Sequence, residues 1–385
     1  MTKNNALPDP QKFMVWPDRG FLPKPDPLEK LPQDYGLIND LAKDMPLLLR
    51  TRQLRLELDR LPIIDLSKLR GDQIACAMRS YSFFASAYVY ATGEETAKHI
   101  PRGVAVPLRY LSKRLFRKPI LSYDSYGPQN WRRVNKDGPI ALGNIEVIQN
   151  FLGGPDENGF ILVHVEIEAN ASRALCGAPN AQKLALEDNP HDLCASLWEI
   201  SHSIERMYYP LLKMPVLCNP NIYYAQVRPY IHAFKSIIYE GVDEYNGEPQ
   251  NFLGETGAQS AIVPCLDAML GIEHANDHLS KYLTEMRQYM PRGHSAFIAK
   301  LELNKFVLRG YILGHSNYSF LRDPYNKCVY WLWQFRKKHL EYANTYIHRQ
   351  AQTSPDNSTS RGTGGTPFME YLKKHADETI EYIIP

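Results

Sequence analysis

The sequence predicts an all-helical fold. Its long segments repeat their apolar residues at spacings of three and four, which is the period of an amphipathic helix. Runs that alternate apolar and polar residues, as strands do, are short. With 44% hydrophobic residues in a chain of 385, the protein can bury a large core between such helices. We therefore expect a helical bundle accompanied by a smaller N-terminal helical domain.

Helical periodicity is clearest in six segments of the chain. They are residues 37–61, 72–91, 160–176, 193–212, 260–290 and 324–348. A polar stretch, residues 350–366, is too long for an ordinary connection and is typical of a mobile lid loop.

The turn formers Gly153, Gly154 and Pro155 favour a domain boundary near residue 153. The length of the chain also suggests more than one domain. We expect an extended N-terminal segment (residues 1–30), a small helical domain (31–152) and a large helical domain (153–385).

The charge balance argues against nucleic acid as a partner. The 44 basic and 42 acidic residues are interspersed, which leaves a formal net charge of +2 and no basic face. The N-terminus is polar and proline-rich, and no apolar run is long enough for a membrane-spanning helix. Six cysteines lie far apart without a CxxC pair, which fits reduced thiols. We expect a cytoplasmic protein, a monomer or weak homo-oligomer, that binds neither nucleic acid nor membranes.

A histidine stands in the middle of an apolar stripe on the last long helical segment. Phe335, His339, Tyr342 and Tyr346 are separated by three, four or seven residues and so share one helix face. Such a histidine is often a core residue bonded to a neighbour. The alternative is an axial ligand of haem iron, because a neutral imidazole on a rigid apolar helix suits that role. Arg336, one turn earlier, would then point to the same side and could meet a haem propionate.

A second histidine pair has the spacing of some zinc sites. His274 and His278 are four residues apart, with Glu273 and Asp277 beside them. The HExxH order is missing and the segment is highly polar, so we interpret it as a solvated helix end.

The sequence around His339 resembles a known family. The run Phe335-Arg336-Lys337-Lys338-His339-Leu340 is similar to the proximal-ligand helix of the indoleamine 2,3-dioxygenases. The resemblance covers residues 35–380, and the further blocks that follow the family's order are Ile100-Pro101-Arg102-Gly103-Val104-Ala105-Val106-Pro107, Asn130-Trp131, Tyr239-Glu240-Gly241, Gly257-Ala258-Gln259-Ser260, Tyr289-Met290-Pro291 and Gly362-Thr363-Gly364-Gly365-Thr366. The last two blocks are specific in combination.

The resemblance implies an enzyme that binds haem b and uses O2. His339 would be the iron ligand, with Arg336 and Gly257 also at the cofactor, and His164 and Arg228 would be the catalytic residues of the distal pocket. The small N-terminal domain would cover that pocket. Arg228 corresponds to the arginine that pairs with the substrate carboxylate, as a planar guanidinium can do with two parallel hydrogen bonds. The substrate-binding residues that the resemblance implies are Tyr123, Tyr126, Phe160, Tyr223, Tyr224, Arg228 and Thr363.

Two residues depart from the family pattern. Tyr223 stands where well-known members have a phenylalanine against the indole, and His164 stands where they have a small serine near the bound oxygen. His164 could hydrogen-bond the indole N–H or O2, or it could mark a different outcome such as monooxygenation. It could also be structural, bonded to a backbone carbonyl or to Glu168 one turn on.

Three functions remain open from the sequence. The first is a dioxygenase that opens the indole ring of L-tryptophan, or of a close analogue, to an N-formylkynurenine-type product, with Thr363 of the lid at the amino-acid end. The second is a monooxygenase of an indole or phenol amino acid in secondary metabolism. The third is a haem-binding sensor without turnover. A fold by itself does not choose among them.

Overall fold

The structure, a computed structural model, describes residues 7–275, 278–315, 317–353 and 368–385. Over these ranges the predicted all-helical fold is confirmed. The α-helices are α1 Gly36–Arg50, α2 Leu54–Asp59, α3 Asp72–Val89, α4 Arg102–Leu115, α5 Tyr123–Tyr126, α6 Pro155–Asn170, α7 Ser172–Leu186, α8 Pro190–Leu212, α9 Met214–Leu217, α10 Pro220–Ile222, α11 Ile262–Leu270, α12 His278–Met286, α13 Arg292–Glu302, α14 Val307–Gly314, α15 Arg322–Ala343, α16 Arg349–Thr353 and α17 Phe368–Ile380.

Two small sheets accompany the helices. The strands are β1 His99–Ile100, β2 Trp131–Arg133, β3 Ile145–Val147, β4 Phe234–Tyr239 and β5 Gln250–Phe252. In one sheet, β4 lies between β1, to which it is parallel, and β5, to which it is antiparallel. The other sheet is the antiparallel pair β2–β3, in which Trp131 faces Val147. The strands are two to six residues long, so they join segments of the helical fold rather than form a layer of their own.

Two kinds of shorter helix occur beside the α-helices. The 3-10 turns are Pro10–Phe13, Gln33–Tyr35, Arg228–Ile231, Asp243–Tyr245, Gly257–Gln259 and Ser319–Leu321. The π-helical turns are Tyr223–Val227 and Asn344–His348. Isolated π-turns are rare and often occur at functional sites.

Three of the six predicted helical segments are interrupted. Residues 37–61 form α1 and α2, with Arg52 between them in the left-handed region at φ 57°. In residues 160–176, the chain bends at Ala171 between α6 and α7. In residues 260–290, α11 ends at Gly271, whose φ of +73° cannot continue a right-handed helix. Apolar periodicity persists across each break because both helices face the same core.

The longest helices form the centre of the packing. Helix α15 lies along α8 and α17, and α8 also packs against α6 and α7. In the N-terminal part, α3 is buried on all its faces from Ala77 to Val89, as expected of a helix inside a core. One cluster of buried apolar residues extends from Val15 to Ile384. Burial therefore marks no boundary at residue 153, and the division into domains stays a prediction.

The N-terminal segment is anchored to the helices from residue 13 onward. Phe13 and Phe21 contact Phe297 of α13, with ring centroids 5.8 and 6.1 Å apart. Arg19 is buried and forms an ion pair with Asp26 at 2.8 Å. Across the described part of the chain, the structure contains no helix with the length and apolarity that a bilayer crossing requires.

Candidate active site

His339 lies in the middle of α15 at the edge of an internal space. Its imidazole is accessible to a water-sized sphere. The surrounding protein nevertheless desolvates it strongly enough to lower its pKa to about 4. A side chain that is accessible and desolvated at once borders a cavity inside the protein rather than the outer surface. At neutral pH the ring is uncharged, which is the form that ligates iron.

His164 lies in the middle of α6 and borders the same space. Its Nδ1 is 2.7 Å from the carbonyl oxygen of Phe160. A carbonyl can only accept, so Nδ1 carries the proton and Nε2 carries the lone pair. Burial lowers the pKa of His164, and the electrostatic influence of this ring lowers the pKa of His339 further. The two imidazoles are therefore close enough to influence each other.

The sequence left a structural role for His164 open, and part of it is realised. The bond to a backbone carbonyl exists, but it engages only Nδ1. Glu168, the other partner considered, bonds Tyr123 and Ser260 instead. The Nδ1 atom of His164 is thus anchored by a hydrogen bond. Its Nε2 atom remains a candidate for a hydrogen bond to a ligand in the pocket.

Aromatic rings line the space around His164. The ring of Phe160 lies 4.7 Å from His164, 4.6 Å from Tyr223 and 6.2 Å from Tyr126, measured between centroids. The rings of Tyr123 and His164 are nearly perpendicular, with centroids 5.9 Å apart. Four of the predicted substrate-binding residues therefore lie in one cluster with the predicted catalytic histidine. Such a wall suits a flat aromatic ligand.

Both π-helical turns are part of this wall. Tyr223 begins the first and meets Tyr346 of the second, with ring centroids 5.7 Å apart and the rings nearly perpendicular. The hydroxyl of Tyr346 donates to the carbonyl oxygen of Cys218 at 2.7 Å. The second turn follows α15 directly, so it joins the helix of His339 to the ring of Tyr223.

Arg228 is a fully buried cation beside the aromatic wall. It begins the 3-10 turn that follows the first π-turn, and its exposed fraction is 0%. Its Nη1 donates to Nε2 of His232 at 3.0 Å, and the guanidinium lies 5.3 Å from the centre of the Tyr224 ring. Burial, followed by the charge of Arg228, lowers the pKa of His232 to about 3. His232 is therefore a neutral acceptor that orients Arg228 without neutralising it.

Tyr123 is held by a buried carboxyl group. Its hydroxyl donates to Oε1 of Glu168 at 3.0 Å, and the hydroxyl of Ser260 donates to the same oxygen at 2.8 Å. Burial raises the pKa of Glu168 to about 7, although both hydrogen bonds oppose the shift. The backbone N–H of Tyr123 donates to Oε1 of Gln259 at 2.8 Å. Tyr123 is thus fixed at both its backbone and its hydroxyl.

The segment from Gly254 to Gln259 is bound to the backbone of Tyr123. Nε2 of Gln259 donates to the carbonyl oxygen of Gly254 at 2.9 Å, which ties the segment to Tyr123 through one side chain. Beside Gly257, an added Cβ would meet no heavy atom within 4 Å. Gly257, predicted to lie at the cofactor, therefore adjoins open space.

Glu255, in the same segment, was not anticipated from the sequence. Its exposed fraction is 4%, and burial raises its pKa to about 8. Burial raises the pKa values of Tyr123, Tyr126 and Tyr223, and the Glu255 carboxyl group adds to each of these shifts. Its place two positions before the block of resemblance that begins at Gly257 was the available signal.

Arg336 has strong partners within the protein. Its two terminal nitrogens bond the two carboxylate oxygens of Asp267 at 2.9 and 2.6 Å, and one also donates to Thr379 at 2.6 Å. Burial by itself would raise the pKa of Asp267, but the charges and hydrogen bonds of Arg336 and His274 together outweigh it and hold that pKa well below its usual value. The guanidinium joins α15 to α11 and α17. No described contact supports the predicted bond to a propionate, which stays a prediction.

A histidine cluster near Arg336 has the residue types of a metal centre but the wrong geometry. The ligand atoms of His274, His375 and Glu378 lie within 4.8 Å of one another. The two imidazole rings are stacked, 3.8 Å apart at 16°. A metal ion lies close to the plane of each imidazole that binds it, and two nearly parallel planes cannot share one ion. The contact of His274 Nδ1 with Glu378 at 2.6 Å is accordingly a hydrogen bond.

The predicted lid falls largely outside the described part of the chain. Only its first residues, within α16, are described, and Thr363 is not among them. Of the other predicted site residues, the ring contacts bring together Tyr123, Tyr126, Phe160, His164 and Tyr223, and Arg228 lies near Tyr223 and Tyr224.

The sequence model of the indoleamine 2,3-dioxygenase family matches residues 9–382. The chain belongs to this family. Indoleamine 2,3-dioxygenase 1 of Rattus norvegicus is 31% identical to it over 394 residues, covering 97% of this chain and 95% of the rat protein. Indoleamine 2,3-dioxygenase of Saccharomyces cerevisiae is 28% identical over 431 residues, covering 98% and 94%. A protein named myoglobin, from Haliotis diversicolor, is 29% identical over 380 residues, covering 96% and 97%.

As a member of the indoleamine 2,3-dioxygenase family, the chain is a haem-dependent oxygenase that uses O2. The donors around the cavity fit that cofactor. His339 offers a neutral nitrogen on a rigid helix, and the space beside Gly257 leaves room for a flat group. The facing wall is aromatic, which suits an apolar macrocycle and a flat substrate.

Proposed function

We propose that this oxygenase cleaves the indole C2–C3 bond of L-tryptophan, or of a close indole analogue, to give an N-formylkynurenine-type product. The observation that carries the proposal is the arrangement of one aromatic pocket between a neutral histidine, His339, and a buried cation, Arg228. The named activity of the rat and yeast relatives supports it.

His339 would hold the haem iron from α15. Its low pKa keeps the imidazole neutral, and its helix is fixed at the neighbouring turn by the ion pair of Arg336 with Asp267. When bound, the haem supplies the iron centre at which O2 is activated. The open space beside Gly257 would accept part of the macrocycle.

Arg228 would bind the substrate carboxylate. Its burial makes the interaction strong, because charges attract more in a medium that excludes water. His232 fixes the orientation of the guanidinium, and Tyr224 packs against it. The predicted contact of Thr363 with the same end of the substrate belongs to this proposal and falls outside the described residues.

The indole ring would lie against Phe160, Tyr223 and Tyr126. His164 would then face the ring with its Nε2 lone pair, because its proton is held at Nδ1 by the carbonyl of Phe160. An acceptor at this place suits the indole N–H and does not suit bound O2, which needs a donor. We therefore assign His164 the role of orienting the indole through its N–H.

The test is product analysis with the haem-loaded full-length chain. L-tryptophan is added to the anaerobically reduced protein, then O2 is admitted, and absorbance and product mass are followed together. The expected product is heavier than tryptophan by two oxygen atoms, and it disappears in His339→Ala. The control is His191→Ala, because His191 is exposed and lies outside the cavity. A wild-type protein that binds haem and forms no such product would refute the proposal.

A monooxygenase is the second candidate. Tyr223 and His164 make the pocket more polar than the family pattern implies. A more polar pocket would suit the addition of one oxygen atom to an indole or phenol amino acid. In the same experiment, a product heavier by one oxygen atom would favour this function.

A haem protein without turnover is the third candidate, and one relative supports it. The myoglobin of Haliotis diversicolor matches this chain over nearly all of both proteins. Reversible O2 binding without a tryptophan-dependent spectral change would favour this function. The buried Arg228 argues against it, because an oxygen carrier does not need an anion-binding group.

We also propose the organisation predicted from the sequence. The part before residue 153 contributes Tyr123 and Tyr126 to the pocket, which suits a small domain that covers the distal side. We retain a cytoplasmic location and a monomer or weak homo-oligomer as predictions. Fractionation of cells that express the protein tests the location, and sedimentation at several concentrations tests the assembly.

A further inference from the structure

The side chain of Tyr123 bridges one turn of helix α6. His164 and Glu168 are four residues apart on that helix, so their side chains share one face. The ring of Tyr123 is nearly perpendicular to the ring of His164, with centroids 5.9 Å apart. The hydroxyl of the same tyrosine donates to Oε1 of Glu168 at 3.0 Å. One side chain from α5 therefore contacts the histidine through its ring and the glutamate through its hydroxyl.

The ring of His164 is held by a hydrogen bond and by neighbouring rings. The bond from Nδ1 to the carbonyl oxygen of Phe160 restrains one atom, but it does not by itself fix the plane of the imidazole. The rings of Phe160 and Tyr123 pack against the imidazole and limit its rotation. The direction of the Nε2 atom therefore depends on Tyr123 staying in place.

The backbone of Tyr123 does not fix its ring. The backbone N–H donates to Oε1 of Gln259 at 2.8 Å, which anchors the main chain. A tyrosine side chain can still turn about its χ1 torsion when its main chain is anchored. The hydroxyl lies at the far end of the side chain and moves most in that turn, so its bond to Glu168 restricts the turn most strongly.

Glu168 is well placed to act as this anchor. Its exposed fraction is 1%, so water does not compete for the hydrogen bond. Ser260 donates to the same Oε1 atom at 2.8 Å, which gives the carboxyl group a second anchor. The other oxygen, Oε2, is buried and receives no hydrogen bond from the part of the chain that the structure describes. Both donors therefore depend on Oε1, and a side chain with one oxygen at that place can keep both bonds.

We propose that Glu168 is a positioning residue of the distal pocket, which holds the Tyr123 hydroxyl so that the Tyr123 ring keeps Nε2 of His164 directed at the ligand. This inference rests on the proposed function, in which Nε2 accepts a hydrogen bond from the indole N–H. It adds a residue that does not touch the substrate and acts on it through two others.

The experiment compares the affinities of the haem-loaded ferric protein for L-tryptophan and 1-methyl-L-tryptophan by spectral titration. The methyl group removes the indole N–H, so the ratio of the two affinities reports the hydrogen bond to His164. A general loss of binding, as from a merely structural defect, affects both ligands and leaves the ratio unchanged.

Three variants and a matched control are compared with the wild type. Glu168→Leu removes the acceptor, Glu168→Gln keeps an oxygen for Oε1, and Tyr123→Phe keeps the ring but loses the hydroxyl. The control is Glu166→Leu, because Glu166 lies on the opposite face of α6 and accepts from the backbone N–H of Leu142 at 2.8 Å. Unfolding temperature and haem content verify that each variant is intact.

The wild type should bind L-tryptophan about five- to tenfold more tightly than its methylated analogue, the range of one hydrogen bond. In Glu168→Leu and in Tyr123→Phe, the ratio should fall to about threefold or less. Glu168→Gln and the Glu166→Leu control should keep the wild-type ratio. The double variant of Glu168→Leu with Tyr123→Phe should fall no further than either single variant, because both remove the same bond.

An unchanged ratio in Tyr123→Phe overturns the proposal, and so does an equal fall in the Glu166→Leu control. Tyr123→Phe carries this test even where Glu168→Leu does not fold. Product analysis separates the inference from the proposed function. If the wild type oxygenates L-tryptophan and the ratio is the same in all variants, the positioning role is wrong and the activity stands. If the ratio changes as expected and no oxygenated product forms, the positioning role stands and the activity is wrong.

Discussion

The Nδ1 atom of His164 lies 2.7 Å from the carbonyl oxygen of Phe160, one turn earlier in α6. This contact fixes the tautomer of the ring, because the carbonyl accepts the Nδ1 proton and leaves a lone pair on Nε2. The same Phe160 also packs its ring against His164 at 4.7 Å. One residue therefore sets both the orientation and the hydrogen-bonding character of the distal histidine.

The first prediction concerns the indole N–H. Methylation of the indole nitrogen removes the donor that His164 would accept, so 1-methyl-L-tryptophan should bind the wild type about five- to tenfold more weakly than L-tryptophan. In His164→Ala this difference should shrink to about twofold or less. Spectral titration of the ferric protein measures both affinities. An unchanged difference in His164→Ala would mean that the ring does not accept from the substrate.

The second prediction concerns Arg228. Arg228→Lys keeps the charge but loses the planar pair of donors and the contact with Tyr224, so the KM for L-tryptophan should rise by about tenfold to a hundredfold. Affinity for tryptamine, which has no carboxylate, should change little. Lys235→Ala is the control, because Lys235 is exposed on the neighbouring strand. Equal loss for both ligands would indicate a structural rather than a carboxylate-binding role.

The third prediction concerns stability and the pH. Glu168 has a pKa of about 7 in the folded protein, raised by burial from 4.5, so the fold favours its protonated form. Its effect is absent below pH 4.5, becomes increasingly destabilising as the pH rises from 4.5 to 7, and is complete above pH 7. Glu168→Gln should therefore stabilise the protein at about pH 8 by up to about 3 kcal/mol, and should have little effect at about pH 4.

Thermal unfolding of the wild type, Glu168→Gln and the exposed control Glu248→Gln at several pH values measures this effect. The difference between the wild type and Glu168→Gln should grow with the pH, while Glu248→Gln should follow the wild type. A difference that does not depend on the pH would contradict the assigned protonation of Glu168.

The fourth prediction compares two glycines in one segment. Gly254→Ala places a Cβ against the carbonyl oxygen of Ile231 at 2.4 Å and should destabilise the protein by about 1–3 kcal/mol. Gly257→Ala meets open space and should leave the unfolding temperature of the haem-free protein nearly unchanged. Denaturant unfolding measures both. Similar costs at the two positions would show that the close approach at Gly254 is not what constrains this segment.

The helices were predictable where a single helix carries a continuous stripe of apolar residues. Helices α3, α8 and α15 begin and end within five residues of three predicted segments, because their apolar faces are long and uninterrupted. The breaks at Arg52, Ala171 and Gly271 were not predictable from periodicity, since the helices on both sides of each break face one core. The hairpin of β4 and β5 was missed, although Asn246 and Gly247 between the strands favour a turn.

Residues of the candidate site were predictable only where they belong to a sequence motif of the family. His339, His164 and Arg228 followed from the family resemblance and helix position, and their roles stay predictions; the structure brings His164 near His339 and Arg228 near Tyr223. The burial of Glu255 did not follow from a motif, because its segment packs against Ile231, which is distant in sequence. The partners of Arg336 are likewise on α11 and α17, which local spacing does not bring together.

The most direct test of the central claim is the fate of isotopically labelled O2 in a single turnover with L-tryptophan. The haem-loaded, reduced protein is mixed with tryptophan and labelled O2, and the mass of the product is measured immediately. Cleavage of the C2–C3 bond by a dioxygenase predicts that both labelled atoms appear in one ring-opened product. One labelled atom, or unchanged tryptophan with reversibly bound O2, would contradict the account.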